Sequence, residues 1–354
     1  MAADTESPET KEESTATRFF GRSFRAGVPL RKVFDRTQEL FGQVAWRTAT
    51  AQNALLRETI LYQSDSTRCI PGFHFGHSRC ARFLRLLMDE VDRASEGSVD
   101  ESLVEIAAEY CMRTDYPERN VYIVLDMPND EERVLVVSEL FSDIGARVWE
   151  AGLVMYSQLS QTKSPLQTEI AGATILELGA GTGVTGSAYI SAGAKRVLLT
   201  DYKEDVVNRI QQNIQNNKMA PRVEARILDA GDLPRLRELI NEHDVDVITA
   251  ADVTYDDNLL KIMIRALADA VKRTRVGYLL ATSRHQKTDS LLRTELTKSG
   301  MCVIEAPTMV PSSSYEYILG SDLSTVKAFR LRHSPKNEGS FCDLRTINDS
   351  SKVS

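Results

Sequence analysis

A chain of 354 residues is long enough for one large domain or two smaller ones. Its 42% hydrophobic and 26% charged residues are ordinary for a folded protein and exclude a chain disordered throughout. With 50 acidic against 43 basic residues the formal charge is −7, which argues against direct nucleic-acid partners and against adhesion to anionic membranes. No run approaches the ~20 apolar residues of a membrane span. The opening MAADTESPETKEESTATRFF has neither the basic start nor the apolar core of a secretory signal. Five widely spaced cysteines (Cys69, Cys80, Cys111, Cys302 and Cys342) suit a reducing compartment better than a disulfide scaffold. The expectation is a cytosolic or nuclear globular protein.

Residues 1–17, rich in Glu, Thr and Ser, read as a disordered acidic tail, and 334–354 reads as a second disordered tail. Residues 18–118 read as a helical region. Leu30, Val33, Phe34, then Leu55, Leu56, Ile60, then Phe83, Leu84, Leu87, Val91 recur at three- and four-residue spacing. Such stripes must bury themselves against something. Cys69, His74, His77 and Cys80 fall within twelve residues and are zinc-ligand types. Their short spacings match no standard zinc framework, and Cys80 opens an apolar helical run where a buried thiol is ordinary. No metal is therefore assigned.

From Asn120 the pattern becomes extended. VYIVLDM, the turn formers Pro128-Asn129-Asp130 and ERVLVVSEL predict a β-hairpin, and 143–159 predict an amphipathic helix carrying Trp149 near its start. From 174 to 331, strands TILEL, RVLLT, VEARIL, VDVITA and GYLLAT alternate with helices, and CVIEA and TVKAFRL follow. This alternation predicts an α/β fold: a Rossmann-like, seven-stranded, mostly parallel sheet, closed by an antiparallel edge.

The sharpest local signal is Glu177-Leu178-Gly179-Ala180-Gly181-Thr182-Gly183, a strand end turning into a helix. Small residues there allow a tight turn and close ligand approach, and the following helix offers free N–H groups. The loop lacks the G-K-[ST] of a phosphate-cradling P-loop. Asp201 ends the next strand, placed either to accept from two ribose hydroxyls or to cap the helix after it; the loop before it favours the ribose. Asp229 and Ala230 end the third strand, where an adenine edge would be read. Ala251, Asp252 and Tyr255 stand at the carboxyl rim of the fourth, and a carboxylate and phenol so placed can hold an amine. The bland alternative is that Asp252 is an N-cap and Tyr255 a packing residue.

Together these motifs resemble a class I S-adenosylmethionine-dependent methyltransferase. D-V-T-Y (252–255) with W-E-A-G (149–152) resembles, more narrowly, the seven-β-strand protein lysine methyltransferases. ALLRETILYQSDSTRC…CARFLRLLMDEV (54–91) and ATSRHQKTDSLLRTELTKSGMCVIEAP (281–307) resemble the eukaryotic elongation factor 2 lysine methyltransferases. The resemblance implies S-adenosylmethionine as cofactor, bound by Trp149, Gly179, Ala180, Gly181, Asp201, Asp229, Ala230 and Ala251. It implies that Asp252 and Tyr255 lie beside the target lysine, with the catalytic domain over 119–333 including the hairpin. The implied partner is a protein, elongation factor 2, met in the cytoplasm by a monomer. Another protein substrate, such as a chaperone or nuclear factor, and a non-catalytic adaptor are the alternatives. One departure stands out: members commonly carry Leu-Asp-Trp, its Trp against adenine, where this chain has Leu228-Asp229-Ala230.

Overall fold

The computed structural model describes residues 8–64, 74–94, 98–112, 121–127, 130–139, 144–160, 164–306, 316–319, 325–334 and 340–341. In chain order the helices and strands begin with α1 (Pro8–Arg25), α2 (Leu30–Phe41), α3 (Ala49–Glu58), α4 (His77–Arg93), α5 (Glu101–Met112), β1 (Val121–Met127) and β2 (Asp130–Glu139). They continue with α6 (Glu150–Leu159), α7 (Pro165–Ile170), β3 (Thr174–Leu178), α8 (Thr185–Ser191), β4 (Arg196–Asp201), α9 (Glu204–Asn216), β5 (Val223–Ile227) and α10 (Leu233–Glu242). Last come β6 (Val247–Ala251), α11 (Asp257–Ala270), β7 (Val276–Thr282), α12 (Gln286–Lys298), β8 (Met301–Ala306), α13 (Glu316–Leu319), β9 (Val326–His333) and β10 (Ser340–Phe341). The chain divides into two compact units: Met1–Asp126 with Glu132–Ser142 and Ser314–Ser321, and Met127–Glu131 with Asp143–Ser313 and Asp322–Ser354. Most of the β1–β2 pair thus groups with the helices, whereas the sequence joined it to the sheet.

In the helical unit, Ala16, Phe20 and Phe24 repeat every fourth residue along α1 and are wholly buried. Their rings meet those of other helices: Phe20 and Phe34 at 4.9 Å, Phe24 and Phe83 at 5.0 Å. Trp46 closes on Phe34 at 5.6 Å. Aromatic contacts of this kind add to the burial of apolar area that holds such helices together. Gly21 lets α1 and α3 approach closely, since a Cβ there would lie 2.5 Å from Glu58 Cβ. The short α13, far along the chain, docks onto this unit: Ser23 Oγ donates to the Tyr317 carbonyl at 3.0 Å, and the Asp126 N–H donates to the Tyr317 hydroxyl at 3.1 Å.

One expectation changes here. Residues 8–17 are not tail but the first turns of α1, with Ala16 and Thr17 buried. Their polar composition concealed a stripe whose large anchors, Phe20 and Phe24, come later. In the Cys/His cluster, Cys80 is buried in α4, and burial pushes its thiol up to about 12. His77 stacks on Tyr110 at 5.3 Å, and His74 lies edge-on to Tyr122 at 6.0 Å. Cys69 and the turn residues Pro128 and Asn129 lie outside the described residues. Among the described residues, no group of three or more His, Cys, Asp or Glu is arranged to hold a metal.

The second unit is the sheet, in the order β10-β8-β9-β7-β6-β3-β4-β5. Strands β3 to β7 are mutually parallel. Alternate residues serve opposite faces, as a pleated strand requires. Leu176, Leu178, Leu198, Ile248 and Ala250 enter the core that also holds Leu236, Ile240, Leu260, Leu267, Leu292 and Leu296 of α10, α11 and α12. Antiparallel β9 is not at the edge, as expected, but inserted between β7 and β8. The chain from β8 returns past its own neighbour, which leaves β8 and the two-residue β10 outermost. Cys302 on β8 is disulfide-bonded, which the sparse cysteine pattern did not suggest. No helix among the described residues is long and apolar enough to cross a membrane.

Because β3 has β4 on one side and β6 on the other, the strand order reverses direction at β3. In open α/β sheets the crevice at such a reversal, outside the carboxyl ends, is where ligands bind. All the candidate site residues fall in this unit.

Candidate active site

The loop from β3 to α8 is built by glycines in the left-handed region: φ is 65° at Gly179 and 57° at Gly181. A side chain at Gly179 would put its Cβ 2.6 Å from Val253 Cγ1, so the loop packs directly against the segment after β6. At Gly181 a Cβ would meet the Gly145 carbonyl at 3.0 Å. Ala180 is buried, and its N–H donates to the Thr200 carbonyl at 2.9 Å.

Asp201, at the end of β4, is brought beside this loop. Its Oδ2 accepts from the Gly181 N–H at 3.4 Å and its Oδ1 from the Lys203 N–H at 3.3 Å. Burial raises its pKa, and those same N–H groups oppose the rise. It does not cap α9, whose N-cap is Lys203. Asp229 turns inward on its own loop, accepting from the Gly231 N–H at 2.8 Å, while Ala230 is buried in the core shared with α10 and α11. One residue on, a Cβ at Gly231 would lie 3.7 Å from Ile262 Cγ2 of α11.

Asp252 follows β6, half-exposed Ala251 preceding it, and has a φ of 54°, a conformation that short polar side chains tolerate better than most. Its carboxylate is the most engaged group of the rim. Oδ1 accepts from the Thr282 N–H at 2.8 Å; Oδ2 accepts from the Thr282 hydroxyl at 2.8 Å and from the Ala151 N–H at 3.0 Å. Ala151 lies in the first turn of α6, whose own N-cap, Trp149, supplies no side-chain acceptor. Asp252 therefore caps a helix one hundred and one residues away. It does not cap α11, which Asp256 does.

Tyr255 is 53% exposed, and its phenol is pushed up by burial of the rest of the ring, then by the neighbouring Tyr202 and Asp201. It thus faces the Asp201 side of the rim. Trp149 donates its Nε1–H to the Ile144 carbonyl at 2.9 Å, and the guanidinium carbons of Arg147 and Arg284 lie over its ring at 4.9 and 4.8 Å. Arg284 also donates to Glu150 at 2.8 Å and stands 3.7 Å from Asp252 Oδ2.

Sequence reasoning missed three participants: Thr282, Arg284 and Glu177. The first ends the fifth parallel strand and the second follows it, and nothing local marks them. Glu177 had a signal, an acid in the middle of an apolar strand. It is fully buried, accepts from the Thr185 hydroxyl, and burial raises its pKa to about 7. The Tyr189 hydroxyl beside it donates to Thr249 Oγ1 at 2.9 Å.

Against this geometry the comparisons with known proteins are specific. A family model described as lysine methyltransferase matches residues 128–298. That segment, just under half of the chain, is similar to the lysine methyltransferases. With that family go S-adenosylmethionine as methyl donor and a protein lysine as acceptor. An uncharacterized Dictyostelium discoideum protein is 25% identical over 260 residues, covering 66% of this chain and 68% of that one. The protein-lysine N-methyltransferase EFM3 of Saccharomyces cerevisiae is 29% identical over 208 residues, 54% of this chain and 58% of the yeast protein. The match thus spans little more than half the yeast protein. Among solved structures, magnesium protoporphyrin IX methyltransferase of Synechocystis with bound SAH aligns at a TM-score of 0.35 and 17% identity, over 48% of this chain and 77% of that one.

Proposed function

We propose that this chain methylates a lysine of translation elongation factor 2, using S-adenosylmethionine, in the cytoplasm and as a monomer. The observation that carries the reading is the pairing of the glycine turn with a buried acid. The Gly181 N–H and Asp201 are joined at the reversal point of the sheet, next to the rim where Asp252, Tyr255 and Trp149 stand. The donor set suits the cofactor: Asp201 would hold the ribose hydroxyls, the turn would take the chain of the amino acid, and Ile262 and Ala230 would line the adenine side. When bound, the cofactor supplies an electrophilic methyl group.

The rest of the task falls to the protein's own residues, and it is mainly positioning. A lysine amine, with an ordinary pKa near ~10.4, must lose its proton before attack. Asp252 cannot favour that loss, because a carboxylate stabilises the ammonium. Three of its roughly four acceptor sites are already taken by Ala151 and Thr282. What remains, on Oδ1, is enough to orient an amine N–H. Tyr255, exposed on the cofactor side, would line the amine's path. The substrate class follows from the family, and elongation factor 2 from the likeness of 54–91 and 281–307.

Radiolabelled methyl transfer to purified elongation factor 2, with mass spectrometry of the same protein from cells lacking this chain, tests the proposal. Loss of one methyl-lysine in those cells supports it; an unchanged pattern rejects that substrate in favour of another protein. Separately, Asp201→Ala is expected to weaken cofactor binding by about tenfold or more in calorimetry, as loss of hydrogen bonds to a charged acceptor should. An unchanged affinity rejects the ribose role.

A further inference from the structure

The rim holds a cation site that is already filled from within. Three groups converge on the Arg284 guanidinium: the Trp149 ring at 4.8 Å, Glu150 Oε2 at 2.8 Å and Asp252 Oδ2 at 3.7 Å. An aromatic face flanked by carboxylates is a general receptor for an organic cation. Here the receptor and its occupant differ in how firmly they are held. Asp252 is fixed by three hydrogen bonds from Ala151 and Thr282, and its side chain is only 9% exposed. Trp149 is pinned through Nε1 to the Ile144 carbonyl. Arg284 is 38% exposed, and its partner Glu150 is 52% exposed. Ion pairs and cation–π contacts this open to water contribute little and exchange readily.

We propose that Arg284 is a displaceable place-holder, occupying the seat that the substrate's lysine ammonium takes on its way to the methyl donor. The assignment of that seat to lysine rests on the lysine methyltransferase reading; the existence of an alkylammonium site does not. An incoming lysine offers what the site selects: one positive charge for Glu150 and Asp252, and an alkyl stem to lie along the Trp149 face. Arg284, two residues beyond Thr282, then swings to solvent. Keeping the seat filled spares two carboxylates an unpaired approach and makes a cation, rather than water, the thing exchanged. The site therefore discriminates against neutral or acidic side chains before any chemistry begins.

The test uses the full chain and butylammonium as the probe. Only two tryptophans are present, and Trp46 is wholly buried in the helical unit, so the Trp149 indole N–H resonance reports on the site and that of Trp46 serves as the internal control. Arg284→Ala is expected to bind butylammonium roughly tenfold more tightly than wild type, equivalent to ~1.4 kcal/mol, with the shift confined to Trp149. Arg284→Lys, whose ammonium refills the seat, is expected to behave as wild type. Equal binding by wild type and Arg284→Ala, or a shift of both indoles alike, overturns the proposal. If Arg284→Ala gains the site while no lysine protein is methylated, the cation site stands and the lysine reading falls.

Discussion

Asp252 invites an activity assay, yet its structural duties must be measured first. Replacing it with Ala leaves the Ala151 N–H, the Thr282 N–H and the Thr282 hydroxyl without their acceptor. Loss of a helix cap alone costs ~0.5–2 kcal/mol. Ala keeps at the observed φ of 54° the Cβ that Asp already carries there, so the left-handed strain of ~1 kcal/mol stays as in wild type. The Thr282 bonds bring the expected total to about 3 kcal/mol. Asp252→Gly removes the same carboxylate but not the backbone freedom, so it should be less damaged than Asp252→Ala by ~1 kcal/mol. Urea unfolding followed by circular dichroism measures both. If Asp252→Ala unfolds at the wild-type midpoint, the carboxylate does not clamp α6 to the ends of β6 and β7, and this account of the rim is wrong. If the order Gly above Ala fails, the strain component is wrong. Lost methylation by Asp252→Ala is evidence of a catalytic role only under conditions where the variant is shown to be folded.

Two other substitutions follow from the same geometry. Glu177 titrates at about 7 in the folded chain against 4.5 as its ordinary value, so the folded state favours its neutral form. Its contribution is therefore complete below about 4.5 and is lost as pH rises through about 7, by ~3 kcal/mol in all. Unfolding midpoints measured from pH 5 to pH 8 should fall for wild type and fall markedly less for Glu177→Gln; parallel profiles would refute the buried-acid reading. Gly179→Ala should destabilise the sheet unit and weaken cofactor binding in calorimetry by about tenfold, because its Cβ meets Val253 Cγ1 at 2.6 Å and its φ is positive. Adding Val253→Ala should recover the steric part but not the backbone part; recovery of neither, with wild-type loop structure, would show the contact to be irrelevant.

Much of the sheet unit was legible in the sequence because its signals are local. Apolar runs such as TILEL and RVLLT alternate with amphipathic helices, and strands of that kind separated by helices pair in parallel. The glycine turn and Asp201 announced themselves by residue type at a strand end, and the structure joins them by a hydrogen bond. Other features were hidden because sequence-distant groups create them. Strand β9 inserts between β7 and β8, a choice made by packing and not by periodicity. The start of α1 looked like tail because its polar composition outweighed one buried Ala and Thr.

The amino-acid sequence by itself determined the α/β sheet, the glycine turn at its carboxyl rim and the acid that turn meets, since strand alternation and turn chemistry act over a few residues. Only the tertiary structure decided what the rim carboxylate does. Asp252 caps α6 across 101 positions and ties down Thr282 across 30, and Arg284 sits on Trp149 between two acids. Such contacts have no local signature: they exist because parallel strands bring their carboxyl ends to one edge, where groups far apart in the chain complete one another's hydrogen bonds.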